Sequence, residues 1–199
     1  EQGSPGSILT FFPWEGIGKG RNGVGMATEI GYSVPQNSLD FWQSRLQQLD
    51  IKHSEVYEKF GEKVVAFQDP DGLKLEFIES KTVDVRQPWT TAEVQAQHAT
   101  KGFHNVTLTL RSVDPTAKVL VDSLGYRLQA QEGNRYRFVT DAIDHANIID
   151  IVEAPGTPSG INAAGTNHHI AFRVANDDIL MEFREKIESA GLNITPKID

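Results

Sequence analysis

The chain has 199 residues, no Cys, 17 Gly and nine Pro, and its 27 acidic against 19 basic side chains give a formal charge of −8. With 39% hydrophobic and 23% charged residues, these are globular proportions that exclude a disordered or collagen-like chain. The lack of Cys excludes a disulfide framework, a thiolate zinc site, an iron–sulfur cluster and a Cys nucleophile. The acidic balance argues against nucleic acid or an anionic membrane as partner. No apolar run approaches the ~20 residues that span a bilayer. The leading EQGSPGS has neither a basic region nor an apolar stretch, so no signal peptide is expected and the cytoplasm is the expected compartment.

In chain order, Leu9–Pro13 after SPGS reads as a strand. Gly18-Lys19-Gly20-Arg21-Asn22-Gly23 matches GxGxxG in form. A dinucleotide loop needs a strand before it and a helix after it, and here a strand follows, so the segment is read as a linker bordering a pocket. Glu29–Pro35 alternates as a strand, and a helix follows with Leu39, Trp42, Leu46 and Leu49 on one face. Asp69-Pro70-Asp71-Gly72 is a turn that leads into Leu75–Glu79. After a polar stretch, Asn105–Arg111 is again a strand, then comes the helix PTAKVLVDSLG, then Ile149–Glu153. A third strand, His169–Ala175, precedes a helix with Ile179, Phe183 and Ile187 on one face and Leu180 at its edge. Gly125 and Gly191 fit left-handed helix ends.

The elements repeat. Opening strands start at 29, 105 and 169, and closing strands resemble one another around Thr10, Glu76 and Asp150. The unit is strand, helix, then strands ending in the closing motif, with loops of varied length. The expected organisation is a closing strand and linker over 1–23, a complete module over 24–86 and a connector over 87–101. A second complete module covers 102–158, and an opening strand with helix covers 159–199.

Tandem βαβββ modules resemble the vicinal oxygen chelate superfamily of glyoxalases, bleomycin-resistance proteins and extradiol dioxygenases. SPGSILTFFPWEG, SLDFWQSRL, DPDGLKLEF and NHHIAFRV are similar to the four-module ring-cleaving dioxygenases that open hydroquinones or catechols with Fe(II). The resemblance implies an α+β fold, with paired modules curling mixed sheets into cups and helices outside. It implies an aromatic substrate and O2, and a homodimer is compatible with it. It also implies metal ligands at the first residue of opening strands and in closing strands. The rival readings are a glyoxalase-like metal-dependent lyase or isomerase, and a metal-free binding protein of the bleomycin-resistance kind.

Strand alternation turns His169, Ala171 and Arg173 toward the cup and Ile170, Phe172 and Val174 toward the helix. His169 is therefore the metal-ligand candidate, and His168, facing away, is a candidate base or hydrogen-bond partner. The family's two-His, one-carboxylate set leaves iron positions open for substrate and O2, but only one of its members falls in this chain. Adding the in-module spacing of roughly 46 residues to His169 passes Asp199, and subtracting it from Thr10 passes Glu1. The expectation is an internal piece of a longer protein, inactive by itself. Glu29, Glu76, Asn105 and Asp150 are expected to converge where the complete modules pair. They offer oxygen donors for a hard cation, but they lack imidazole, and a metal-free cup is the favoured reading. Glu76 is retained as a second metal candidate because DPDGLKLEF matches the ligand-bearing pattern. His53, His98 and His145 are read as solvated, and His104, which precedes Asn105 as His168 precedes His169, as an echo of duplication. Phe11, Phe12 and Trp14 are read as core aromatics, with a substrate pocket as the alternative.

Overall fold

The structure is a computed structural model that describes residues 6–197. The start of the first expected segment, residues 1–5, lies outside the described residues. Eight strands form one curled mixed sheet. The first module supplies β1 (Met26–Val34), α1 (Leu39–Gln48), β2 (Tyr57–Lys59), β3 (Glu62–Gln68) and β4 (Lys74–Glu79). The second supplies β5 (Phe103–Leu110), α2 (Asp114–Lys118), β6 (Arg127–Glu132), β7 (Arg135–Val139) and β8 (Ile148–Glu153). A π-helical turn, Val119–Ser123, continues α2. The helix α3 (Asp177–Ser189) follows.

The sheet order is β2-β3-β4-β1-β5-β8-β7-β6. It reads the same from either edge once each strand is exchanged for its counterpart in the other module. Each opening strand lies parallel to its own closing strand, β1 with β4 and β5 with β8. The modules join where β1 and β5 run antiparallel. The repeat seen in the sequence is therefore a repeat of topology.

The outer face carries the apolar cores. Leu39 and Leu46 of α1 pack with Val34, Val65 and Phe77. Leu120 and Tyr126 pack with Phe138, Ile149 and Ile151. Leu49, expected on the buried face of α1, is 56% exposed. The helix ends at Gln48 and Asp50 takes a positive φ of 55°, which turns the chain before Leu49 can reach the sheet. Gly125 and Gly191 do adopt the left-handed conformation, at φ 73° and 77°.

Each module also ties its helix to its closing strand. The last residue of β4, Glu79, accepts the backbone N–H groups of Ser38 and Leu39 at 2.7 and 3.2 Å. The last residue of β8, Glu153, accepts that of Val113 at 3.0 Å. Helix starts leave such donors unpaired, and a carboxylate there satisfies them and complements the helix dipole.

Two expected strands are not formed. Residues 8–14 and 167–174 have no ladder. β1 and β5 are each held between two neighbouring strands, whereas no described strand flanks 8–14 or 167–174. An extended segment without such neighbours leaves its backbone groups to solvent or loops. The alternation expected for Ile170, Phe172 and Val174 fails with it, and Phe172 is 45% exposed. The helix after it does form, its first turn capped by Asn176 Oδ1, which accepts from Ile179 N at 3.0 Å.

The segment 16–25 is not a loose linker. It pairs with 158–164 through Arg21 N to Ile161 O at 3.0 Å and Val24 N to Pro158 O at 3.0 Å. Among the described residues, no helix is long and apolar enough to cross a membrane.

Candidate functional site

The inner face of the sheet holds the residues expected to converge. Glu29, Gly31, Glu76, Asn105, Thr107 and Asp150 lie on adjoining strands in register: Gly31 pairs with Glu76 and with Asn105, and Thr107 with Asp150. Gly31 is required there, because a Cβ would sit 2.1 Å from Asn105 Oδ1.

Every carboxylate in this cup meets a cation. Glu76 accepts from Lys59 Nζ at 2.5 Å and from the Tyr57 hydroxyl at 2.7 Å. Glu29 accepts from both terminal nitrogens of Arg135 at 3.2 Å, and Arg135 also donates to Thr107 Oγ1. Arg137 grips Asp150 with Nε and Nη2 at 2.8 and 3.0 Å and donates to Glu62 with Nη1 at 2.6 Å. Its guanidinium lies 4.3 Å over the Phe60 ring. Asn105 Nδ2 donates to Asp150 Oδ2 at 2.9 Å. His104, 5% exposed, stands between Glu62 Oε1 and Asn105 Oδ1, both at 3.2 Å.

These contacts set the ionisation of the cup. Burial pushes the Glu62 carboxyl up, but His104 and Arg137 together outweigh it and hold the group down at about 2. Glu29 is likewise lowered, burial being outweighed by Arg135 and Lys59. Tyr57 is pushed up, by burial first and then by the Glu76 charge. Arg137 is raised because Asp150 and Glu62 outweigh the cost of burying it.

The two edges of the sheet are also bridged. The turn after β2 reaches the end of β6, where Phe60 N–H donates to Glu132 Oε2 at 2.8 Å. Glu62 to Arg137 and Glu29 to Arg135 tie the same two modules. Lys59, Arg135, Arg137 and Glu62 were not singled out in the sequence, and His104, read there only as an echo of duplication, is a buried partner of Glu62. A signal for the arginines is there: Arg135-Tyr136-Arg137-Phe138 places charge at every second position of an otherwise apolar strand.

The donor set therefore does not fit a metal in this cup. Both Glu76 oxygens are taken, Asp150 is held by a guanidinium and an amide, and no imidazole is free. Glu76 is also not brought to His169. Among the described residues, no group of three or more His, Asp or Glu side chains is arranged to hold a metal ion.

His168 and His169 lie elsewhere, over a cavity of about 350 Å³ also lined by Met26, Leu108, Leu110 and Asn167. Both rings are exposed. Alternation was expected to send them to opposite faces, but without a ladder the backbone bends and their Nδ1 atoms meet at 2.8 Å. Phe12 and Trp14 come to them from the N-terminal segment. These two rings stack at 5.4 Å, and each meets His168 edge-on with centroids 5.9 Å apart. Phe12 is 48% and Trp14 54% exposed, so they are not the core aromatics the sequence suggested. Of the other histidines, His98 is not simply solvated: its ring stacks on Phe41 at 4.2 Å.

No protein-family model matches the chain. MhqO of Bacillus subtilis (strain 168), provisionally named a ring-cleaving dioxygenase, is 37% identical over 199 residues, all of this chain and 62% of MhqO. The chlorohydroquinone/hydroquinone 1,2-dioxygenase of Sphingobium indicum is 32% identical over 197 residues, 96% of this chain and 61% of that protein. A crystal structure of a provisionally assigned dioxygenase from Bacillus subtilis superposes with a TM-score of 0.88 at 36% identity, covering 96% of this chain and 61% of that one. Glyoxalase I of Zea mays shares the fold, with a TM-score of 0.51 at 17% identity, over 75% of this chain and 50% of its own. The chain is thus similar along its whole length to proteins named for ring cleavage and has the fold of glyoxalase I. It spans under two thirds of the length of these ring-cleaving relatives. Its eight-stranded curled sheet with outer helices is the α+β architecture it shares with these structures.

Proposed function

We propose that the protein is a non-haem Fe(II) dioxygenase that opens the ring of a dihydroxylated aromatic with O2, and that this chain carries one of its metal ligands, His169. The observation that carries the reading is the match along the whole chain to relatives named for ring cleavage, one of them for hydroquinones. The structure supports His169 by contrast. Its imidazole lines a cavity and meets no cation, whereas every carboxylate of the inner cup is paired with one.

The donors present fit one imidazole position of a two-His, one-carboxylate set. The rest of that set is not among the described residues. When bound, such a metal supplies adjacent positions for the substrate oxygens and O2. The chain's own part is narrower. His169 lines the cavity, and Phe12 and Trp14 offer exposed faces against which an aromatic ring can stack. The inner cup joins the two modules and takes no part in the chemistry. A binding protein that used the inner cup as its pocket is disfavoured for the same reason: that space is filled by ion pairs.

The test is to purify the protein anaerobically at the length of its relatives and measure iron content and O2 uptake with hydroquinone and catechol. The reading expects about one iron per site and ring-opened product, both lost in His169→Ala. Full activity without bound metal, or unchanged iron in that variant, would overturn it. The 199-residue chain by itself is expected to take up no O2.

A further inference from the structure

We infer that His168 is a positioning residue for His169, and that Phe12 and Trp14 hold it in place. The inference rests on His169 being a metal ligand. Two imidazole nitrogens 2.8 Å apart must be one N–H and one lone pair. A neutral histidine has one of each. If His168 donated, His169 would accept at Nδ1 and carry its proton on Nε2, leaving nothing to offer a metal. If His169 donates from Nδ1, its Nε2 lone pair is free. Ligating histidines are commonly fixed this way, by an acceptor at the far nitrogen, most often a carboxylate or a backbone carbonyl. Here the acceptor at Nδ1 is the neighbouring imidazole.

An exposed imidazole holds such a bond only if its own ring is held. Trp14 meets the His168 ring at 84° and Phe12 at 62°, both at 5.9 Å, while Phe12 also lies 6.5 Å from His169. The two aromatics stack on each other at 22°, so they act as one wall. A segment at the start of the chain thereby sets the orientation of a side chain over 150 residues away. The bend that brings the two histidines together requires that 167–170 is not a strand, as observed.

The experiment is a long-range proton–nitrogen correlation spectrum of the histidine side chains in the 199-residue chain, which reads the tautomer of His169 without metal or activity. The expected result is the Nδ1–H form in the wild type, its loss in His168→Ala, and its recovery in His168→Asn, whose side-chain carbonyl can accept in place of the ring nitrogen. A Phe12→Leu/Trp14→Leu double variant should reduce the Nδ1–H population while His168 is intact. His169 in the Nε2–H form in the wild type, or a tautomer unchanged in His168→Ala, would overturn the inference. If the tautomers behave as stated but the longer protein retains no iron, the dioxygenase reading falls and the positioning geometry remains. If the protein is iron-dependent but the tautomers do not respond, only this inference falls.

Discussion

The inner cup and the His168–His169 region derive from the same kind of position in the repeat and have opposite fates. Glu29 and Asn105 open their modules as His169 was expected to open a third, yet Glu29 is clasped by Arg135 and Asn105 is tied to Asp150 and His104. In the inner cup the protein supplies its own cations, from Lys59, Arg135 and Arg137. At His169 it supplies none, and the imidazole meets the His168 imidazole and the Phe12 ring. A repeated backbone thus carries repeated positions without repeated chemistry. What separates the two regions is whether a basic side chain from a neighbouring strand reaches the donor.

The contrast makes Arg137→Ala the most damaging change. It leaves Asp150 buried without its cation and Glu62 with His104 alone, and breaking a buried pair in this way costs about 3–5 kcal/mol. Urea unfolding should show that loss as a lower midpoint. A change below about 1 kcal/mol would mean that the cup is wet and its ion pairs behave like surface ones.

Acid should weaken the same region. The folded-state Glu62 group is held at about 2 against an ordinary value of 4.5, so it stabilises the fold above the ordinary value. That contribution disappears as pH falls from about 5 toward 2, and is on the order of 3 kcal/mol by linkage. Denaturant midpoints measured across this range should fall in the wild type, and Glu62→Gln should flatten the part of the slope that this group supplies. An identical slope in the variant would remove Glu62 from the account.

Glu79→Ala should cost about 1–2 kcal/mol, because it strips two backbone donors at the start of α1 of their acceptor. Thermal unfolding would read it, and a loss much below that would show that water replaces the carboxylate. His169→Ala should be the mildest for stability, within about 0.5 kcal/mol, since the ring is exposed and unpaired by charge. An unfolding midpoint well below the wild type would mean that the histidine is part of the packing.

The strands and helices between Met26 and Glu153 were legible because their signals are local: period-two strands, one-sided helices and the Asp-Pro-Asp-Gly turn. Convergence of Glu29, Glu76, Asn105 and Asp150 followed from the repeat. The cations that neutralise them were harder to see. Lys59 sits on the three-residue strand β2, too short to show a period, and the alternation of Arg135 and Arg137 on β7 marks a shared face but not the carboxylates that pair with it. The strands expected over Leu9–Pro13 and His169–Ala175 failed for a different reason. Alternation records a side chain's preference, but a strand also needs a neighbour for its backbone, and none of the described strands provides one. The same loss of ladder placed His168 beside His169 rather than behind it.

The most direct test sets the two regions against each other in one protein. At the length of the relatives, iron content should be measured for His169→Ala and Glu76→Gln beside the wild type. The account predicts that His169→Ala loses its iron while keeping its fold, and that Glu76→Gln keeps its iron while unfolding at lower temperature. Retained iron in His169→Ala together with iron lost in Glu76→Gln would contradict it and return the metal to the inner cup.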